Sequence, residues 1–235
     1  MTLREITASL ISSIRGGKQT DDEEIHPRQL ELYVNNYRNI LLNKHFASIP
    51  SYSFSDNEVL IQDLGCVEIE LVDKAECQDI ITDCYLFRTK KKMPKPVTIK
   101  NQLGISYVGS ITRDHDFQMV PNQRIRWMQY NPITGKSKYS FYRNNYIYIV
   151  NADCEVINIR GIFESPRDVE GFEQIDGTSC FNQDSQYPVL DSMIPVIMDM
   201  IMKNELRSYL LTPSDTINDS SGKIVQRVPT NEKQQ

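Results

Sequence analysis

An α+β fold is predicted, with an N-terminal helical pair and a C-terminal helix packed with a central antiparallel β-rich meander or barrel. Three observations carry this. Apolar residues recur at helical spacing near both ends of the chain, and they alternate in short runs bounded by Pro, Gly, Asn and Asp in between. A hydrophobic content of 40% over 235 residues is also ample for a core without disulfides or metals. The parts are 1–48, the N-terminal helical part; 49–176, the β-rich part; 177–211, a C-terminal helix completing the helical part; and 212–235, an extended or disordered tail.

Leu3, Ile6, Leu10 and Ile14 give the first helix its face, with Thr2 as N-cap and Glu5 completing a capping box before Gly16-Gly17 breaks the run. After the polar KQTDDEE loop, Pro27 takes a first helical position ahead of Leu30, Tyr33, Val34, Tyr37, Ile40 and Leu41, and this second helix should reach about Phe46. Candidate strands are EIELV (68–72), GISYVGSI (104–111), RIRWMQY (124–130), KYSFYR (138–143), YIYIV (146–150) and EVINIRGIF (155–163). Helical period returns at Met193, Ile194, Ile197, Ile201, Leu206, Tyr209 and Leu210, with Asp191 or Ser192 as cap. Pro195 is tolerated in the first turn, and Pro213 ends the run.

The stretch YSFYRNNYIYIV (139–150) holds five aromatic side chains, which suit either a base-stacking platform or a hairpin. Asn144-Asn145 between two β-prone runs signals a type I′ turn, which pairs Arg143 with Tyr146, Tyr142 with Ile147, Phe141 with Tyr148 and Tyr139 with Val150. The platform reading rests on Arg124, Arg126, Lys136, Lys138 and Arg143, interleaved with Trp127, Tyr130 and Tyr142 and free of acids. The glycine-spaced RNA-recognition signature is absent, however, and strand alternation would send Trp127 into the core with Ile125, opposite Arg124 and Arg126. The hairpin is the stronger reading.

Formal net charge is −5, which argues against a surface built wholly to hold nucleic acid. Cys66, Cys77, Cys84, Cys154 and Cys180 are odd in number and lack a C-x-x-C pair, so neither a disulfide framework nor a zinc ribbon is predicted, and no window is apolar enough to span a membrane. His26, His45 and His115 lack partners at ligand spacing. Arg113-Asp114-His115-Asp116 is the most suggestive polar cluster, and Gly177-Thr178-Ser179-Cys180 could surround a thiol. The first reads as an inter-strand loop and the second as an ordinary loop cysteine, so no catalytic, cofactor-binding or metal-binding residue is assigned.

Charge is blocked along the chain. Asp63, Glu68, Glu70, Asp73, Glu76, Asp79 and Asp83 precede a run of Arg88, Lys90, Lys91, Lys92, Lys95 and Lys100. Two solvated surfaces explain this; the sharper alternative is that an acidic flank of one copy meets a basic flank of the next.

Three stretches carry a resemblance. LREITASLISSIRGGKQTDDEEIHPRQLELYVNNYRNILL resembles the opening of virion neck proteins of crAss-like and related short-tailed phages of Bacteroidetes bacteria. RWMQYNPITGKSKYSFYRNNYIYI with INIRGIFESPRDV resembles the sheet of that family and of the tail-tubular-A class of head-to-tail connectors, and YPVLDSMIPVIMDMIMKNELRSYLLTPSDTINDSSGK resembles their closing helix and tail. The resemblance implies a virion structural protein of the neck, assembled in the bacterial host cytoplasm. It further implies a ring of about twelve identical subunits linking portal and tail, docked to other neck and tail proteins and in transient, non-specific contact with genomic DNA. The alternatives are a nucleic-acid-binding module on the basic aromatic sheet and a phage-encoded enzyme using His115 or Cys180. No cofactor and no membrane partner is expected.

Overall fold

A computed structural model describes residues 1–14, 25–48, 58–72, 85–100, 102–128 and 130–207, without the side chain at 126. Helix α1 spans Leu3–Ile14. The capping box closes both ways: the Thr2 N–H donates to Glu5 Oε2 at 2.9 Å and the Glu5 N–H to Thr2 Oγ1 at 3.1 Å. Helix α2 spans Pro27–Ser48, with Pro27 at its first position, where a missing N–H costs nothing.

The buried row of α2 is Leu30, Val34, Arg38, Leu42 and Phe46, an i, i+4 stripe with a cation at its centre. Tyr33, Tyr37 and Leu41, expected on the apolar face, lie half-buried at its margin, and Ile40 is 45% exposed. Helix α4 spans Ile194–Asn204 and packs Ile194, Ile197 and Ile201 into the same core. The expected Asp191 or Ser192 cap is not used. A 3-10 turn over Asp191–Met193 leads in instead, Met193 becomes the N-cap, and Pro195 stays in the first turn. Leu206 is buried just beyond the helix, while Tyr209, Leu210, Pro213 and the tail lie outside the described residues.

Between the helical ends run β1 (Gln62–Asp63), β2 (Val67–Leu71), β3 (Leu86–Thr89), β4 (Thr98–Ile99), β5 (Gln102–Leu103), β6 (Ile105–Gly109), β7 (Gln118–Met119), β8 (Tyr139–Arg143), β9 (Tyr146–Val150) and β10 (Val156–Gly161). Strands β4 and β5 form a separate ribbon. The others form one sheet in the order β1-β10-β2-β3-β9-β8-β7, with β6 also on β10, and every pair is antiparallel except β7 with β8. The sheet then curls back on itself. Gly109 at the end of β6 bridges Asp116 ahead of β7, and the Phe117 N–H donates to the Val108 carbonyl at 2.7 Å. A Cβ at Gly109 would collide with the His115 carbonyl, so this seam requires glycine.

One predicted strand is corrected. RIRWMQY lies largely in a short helix, α3 (Asn122–Met128), because parallel neighbours β7 and β8 need a crossover that no tight turn can make. Its alternation misled: Ile125 and Met128, three residues apart, are the residues that pack, whereas Trp127, expected in the core, is 76% exposed.

The 139–150 hairpin has the predicted register, from Tyr139↔Val150 to Arg143↔Tyr146, and Asn144 and Asn145 have φ of 51° and 63° as a type I′ turn demands. Both of its faces are covered. Ile147 and Ile149 enter the main core, while Tyr139, Phe141, Tyr148 and Val150 form a second core with Ile125 and Val120, in which Phe141 stacks on Tyr148 at 5.1 Å between centroids.

Arg38 joins helices to sheet. Its guanidinium, 0% exposed, donates to the Pro188 carbonyl at 2.7 Å and the Phe163 carbonyl at 2.9 Å and lies over the Tyr187 ring at 5.8 Å. Burial lowers the Arg38 pKa, and Tyr187 opposes that shift. Burial also pushes the Tyr187 phenol up to about 12, although Arg38 pulls it down, and its hydroxyl donates to Asn35 Oδ1. Replacing Arg38 with Ala would leave two buried carbonyls unpaired. Urea unfolding should show a loss of about 3 kcal/mol; a loss below about 1 kcal/mol would mean the guanidinium contributes no more than it costs to bury.

Candidate functional site

Neither polar cluster singled out in the sequence forms a catalytic constellation. Arg113 to Asp116 make the exposed loop that closes the sheet, with Arg113 at φ 62°; the His115 N–H donates to Ser110 Oγ, and the Arg113 guanidinium lies 3.7 Å from Asp63. Cys180 is half-buried beside Asp63 and Cys66, and burial first, then the Asp63 carboxylate, pushes its thiol up to about 11. A nucleophilic cysteine needs the opposite environment. Among the described residues no group of His, Cys, Asp and Glu could hold a metal ion, and no helix is long and apolar enough to cross a membrane.

Two residues of each charge block meet within the chain. The antiparallel pairing of β2 with β3 sets Glu70 opposite Arg88, with Arg88 Nη2 2.6 Å from Glu70 Oε1, and Lys90 Nζ reaches Glu68 Oε2 at 2.8 Å. Lys95 pairs with Glu164 at 3.0 Å, and Asp63 faces both Arg113 and Arg160. Asp73, Glu76, Asp79 and Asp83 lie outside the described residues.

Burial takes the hairpin's own core rings out of the base-stacking reading. Tyr139, Phe141 and Tyr148 are 4%, 1% and 5% exposed, so those rings offer no face for a base. Lys138 is held by Asp153 at 2.6 Å, and the Tyr142 hydroxyl donates to Asn145. Two of the aromatics on which the platform reading rests are exposed, Trp127 on α3 and Tyr130 just after it, in a segment that also exposes Arg124, Ile133 and Lys136; Tyr85, ahead of β3, is exposed as well.

This exposed segment is held by bonds of its own and by the residue after β9. The Thr134 hydroxyl donates to the Met128 carbonyl, the Ile133 N–H to Asn131 Oδ1, and the Asn151 amide to the Gly135 and Ser137 carbonyls. The helical spacing of Ile125 and Met128 is the signal that could have found this knob; the alternation of the same residues hid it.

A second feature has no local sequence signal. On the outer side of β10 an open cavity of about 410 Å³ is lined by Asp63, Ile111, Arg113, Asn158, Ile175 and Asp176, among others. Asn158 is 7% exposed; its Nδ2 donates to Asp63 Oδ1 at 2.6 Å and to the Gly65 carbonyl, while its Oδ1 has no hydrogen-bond partner among the described residues. Ile175 on the rim is 74% exposed.

The Cys180 environment makes a measurable demand. Because the thiol pKa is raised by folding, its contribution to stability is intact below the ordinary thiol range and is lost as pH climbs from there to about 11. Peptide-resolved iodoacetamide labelling should leave Cys180 unmodified at neutral pH, with the rate rising only above pH 9. Fast labelling at pH 7.5 would contradict the environment described.

Comparison with known proteins places this chain in a family. The chain is 24% identical to Ring protein 2 of Bacteroides phage crAss001 over 231 residues, covering 94% of this chain and 96% of that one. The model of a family described as phage tail ring protein 2 matches residues 5–232. With its helical ends and its curled sheet, the chain belongs to the phage tail ring protein 2 family.

Proposed function

We propose that this chain is a ring-forming head-to-tail connector of the virion neck, repeated about twelve times around the DNA passage and joining portal to tail. The observation that carries the reading is the family match over nearly the whole chain, from residue 5 to 232. Two features of the fold support it. Glu70 with Arg88, and Glu68 with Lys90, are paired within the subunit, and large apolar side chains remain exposed at Trp127, Tyr130 and Ile133. The role is structural: the His115 N–H and the Thr178 and Ser179 hydroxyls are engaged in holding loops. Genomic DNA touches the ring transiently and without sequence preference, and the subunit is assembled in the bacterial host cytoplasm on its portal and tail partners.

Imaging of purified virions combined with quantitative mass spectrometry tests this. The expected result is a ring of this chain between portal and tail, at about twelve copies per particle. Particles that assemble and infect normally without the chain would sink the proposal.

A further inference from the structure

Two surface features lie on opposite flanks of the curled sheet. The knob sits on α3 over β8, and the cavity lies outside β10. Going round the sheet, β10 and β8 are separated by β2, β3 and β9 in one direction and by β6 and β7 in the other. A heterologous ring contact needs such a pair of unlike patches on opposite sides of one subunit, because each copy offers one patch to each neighbour.

The two also match in chemistry. The knob presents a bulky indole with one N–H donor, flanked by Ile133 and by the cations Arg124 and Lys136. The cavity offers apolar walls at Ile111 and Ile175 and, at its exposed rim, the carboxylate of Asp176, whereas Asp63 is held by Arg113, Arg160 and the Asn158 amide. Its volume of about 410 Å³ is ample for an aromatic side chain. Gly65, at φ 59° and with no room for a Cβ beside the Glu173 carbonyl, lets the chain fold tightly against the cavity.

We infer that Trp127 of each subunit inserts into the Asn158–Ile175 cavity of its neighbour, making the knob and socket of the ring. This deepens the ring reading above and rests on it. A nucleic-acid role for the knob is less well matched. Ile133, the most exposed side chain there, cannot stack on a base, and a stacked base would leave it in water.

The test uses virions carrying full-length chain with Trp127 replaced by the photo-crosslinking residue p-benzoylphenylalanine. Irradiation should give a ladder of this chain with itself, and the adducts should map to peptides containing Ile111 or Ile175. Adducts on DNA, on another virion protein, or on a different part of this chain, in particles whose neck ring is intact, would overturn the knob and socket while leaving the ring itself standing. Particles that contain the chain but no ring would overturn both.

As a second arm, Trp127→Ala and Ile175→Arg should each leave the melting temperature of the subunit unchanged, both sites being largely exposed, yet weaken self-association at least about tenfold. Association unchanged in both variants would also overturn the inference.

Discussion

Arg38 is the point on which the two ends of the chain depend. Its guanidinium sits in the buried row of α2 and reaches the carbonyls of Phe163, just after β10, and Pro188, just before the turn into α4. The Asn39 amide adds a bond to the Glu164 carbonyl. Neither carbonyl sits in a regular strand or helix, so without the arginine both would be orphaned in the core, where an unmet acceptor is costly. A fully buried cation is itself expensive, which makes this join a choice of geometry over burial: an aliphatic residue would fill space there but would not fix the angle between helices and sheet.

Charge does related work farther from the core. Glu70 with Arg88 and Glu68 with Lys90 span β2 and β3, and the Lys138–Asp153 pair ties the start of β8 to the segment after β9. Hydrogen bonding to Lys90 lowers the Glu68 pKa, and hydrogen bonding to Lys138 does the same for Asp153. Pairs this exposed add little stability. Their effect is to remove sign contrast from that flank, leaving apolar shape at Trp127, Tyr130 and Ile133 as the more specific surface feature. Shape suits a subunit that must accept one neighbour in one orientation, since a packed aromatic anchor fixes register more tightly than solvated charges do.

What could be read from the residues alone was local. Thr2 with Glu5 announced the first cap, Pro27 the start of the second helix, and Asn144-Asn145 the hairpin with its full register, because each signal is satisfied by atoms a few residues apart. The exposed loop at His115 was equally legible, since Arg113 to Asp116 sit between two β-prone runs.

Tertiary structure decided the rest. Arg38 carried no mark that its helix would bury it, for its acceptors are Phe163 and Pro188. The segment at 124–128 became helical because of where β7 and β8 lie, and its alternation, ambiguous on its own, gave way to that connection. Glu70 paired with Arg88 within the chain because an antiparallel register set them opposite each other, and the cavity beside Asn158 was assembled from β1, β10 and two distant loops. Signals between neighbours along the chain are written in the residues themselves, whereas contacts between residues a hundred positions apart exist only once the backbone has closed the distance.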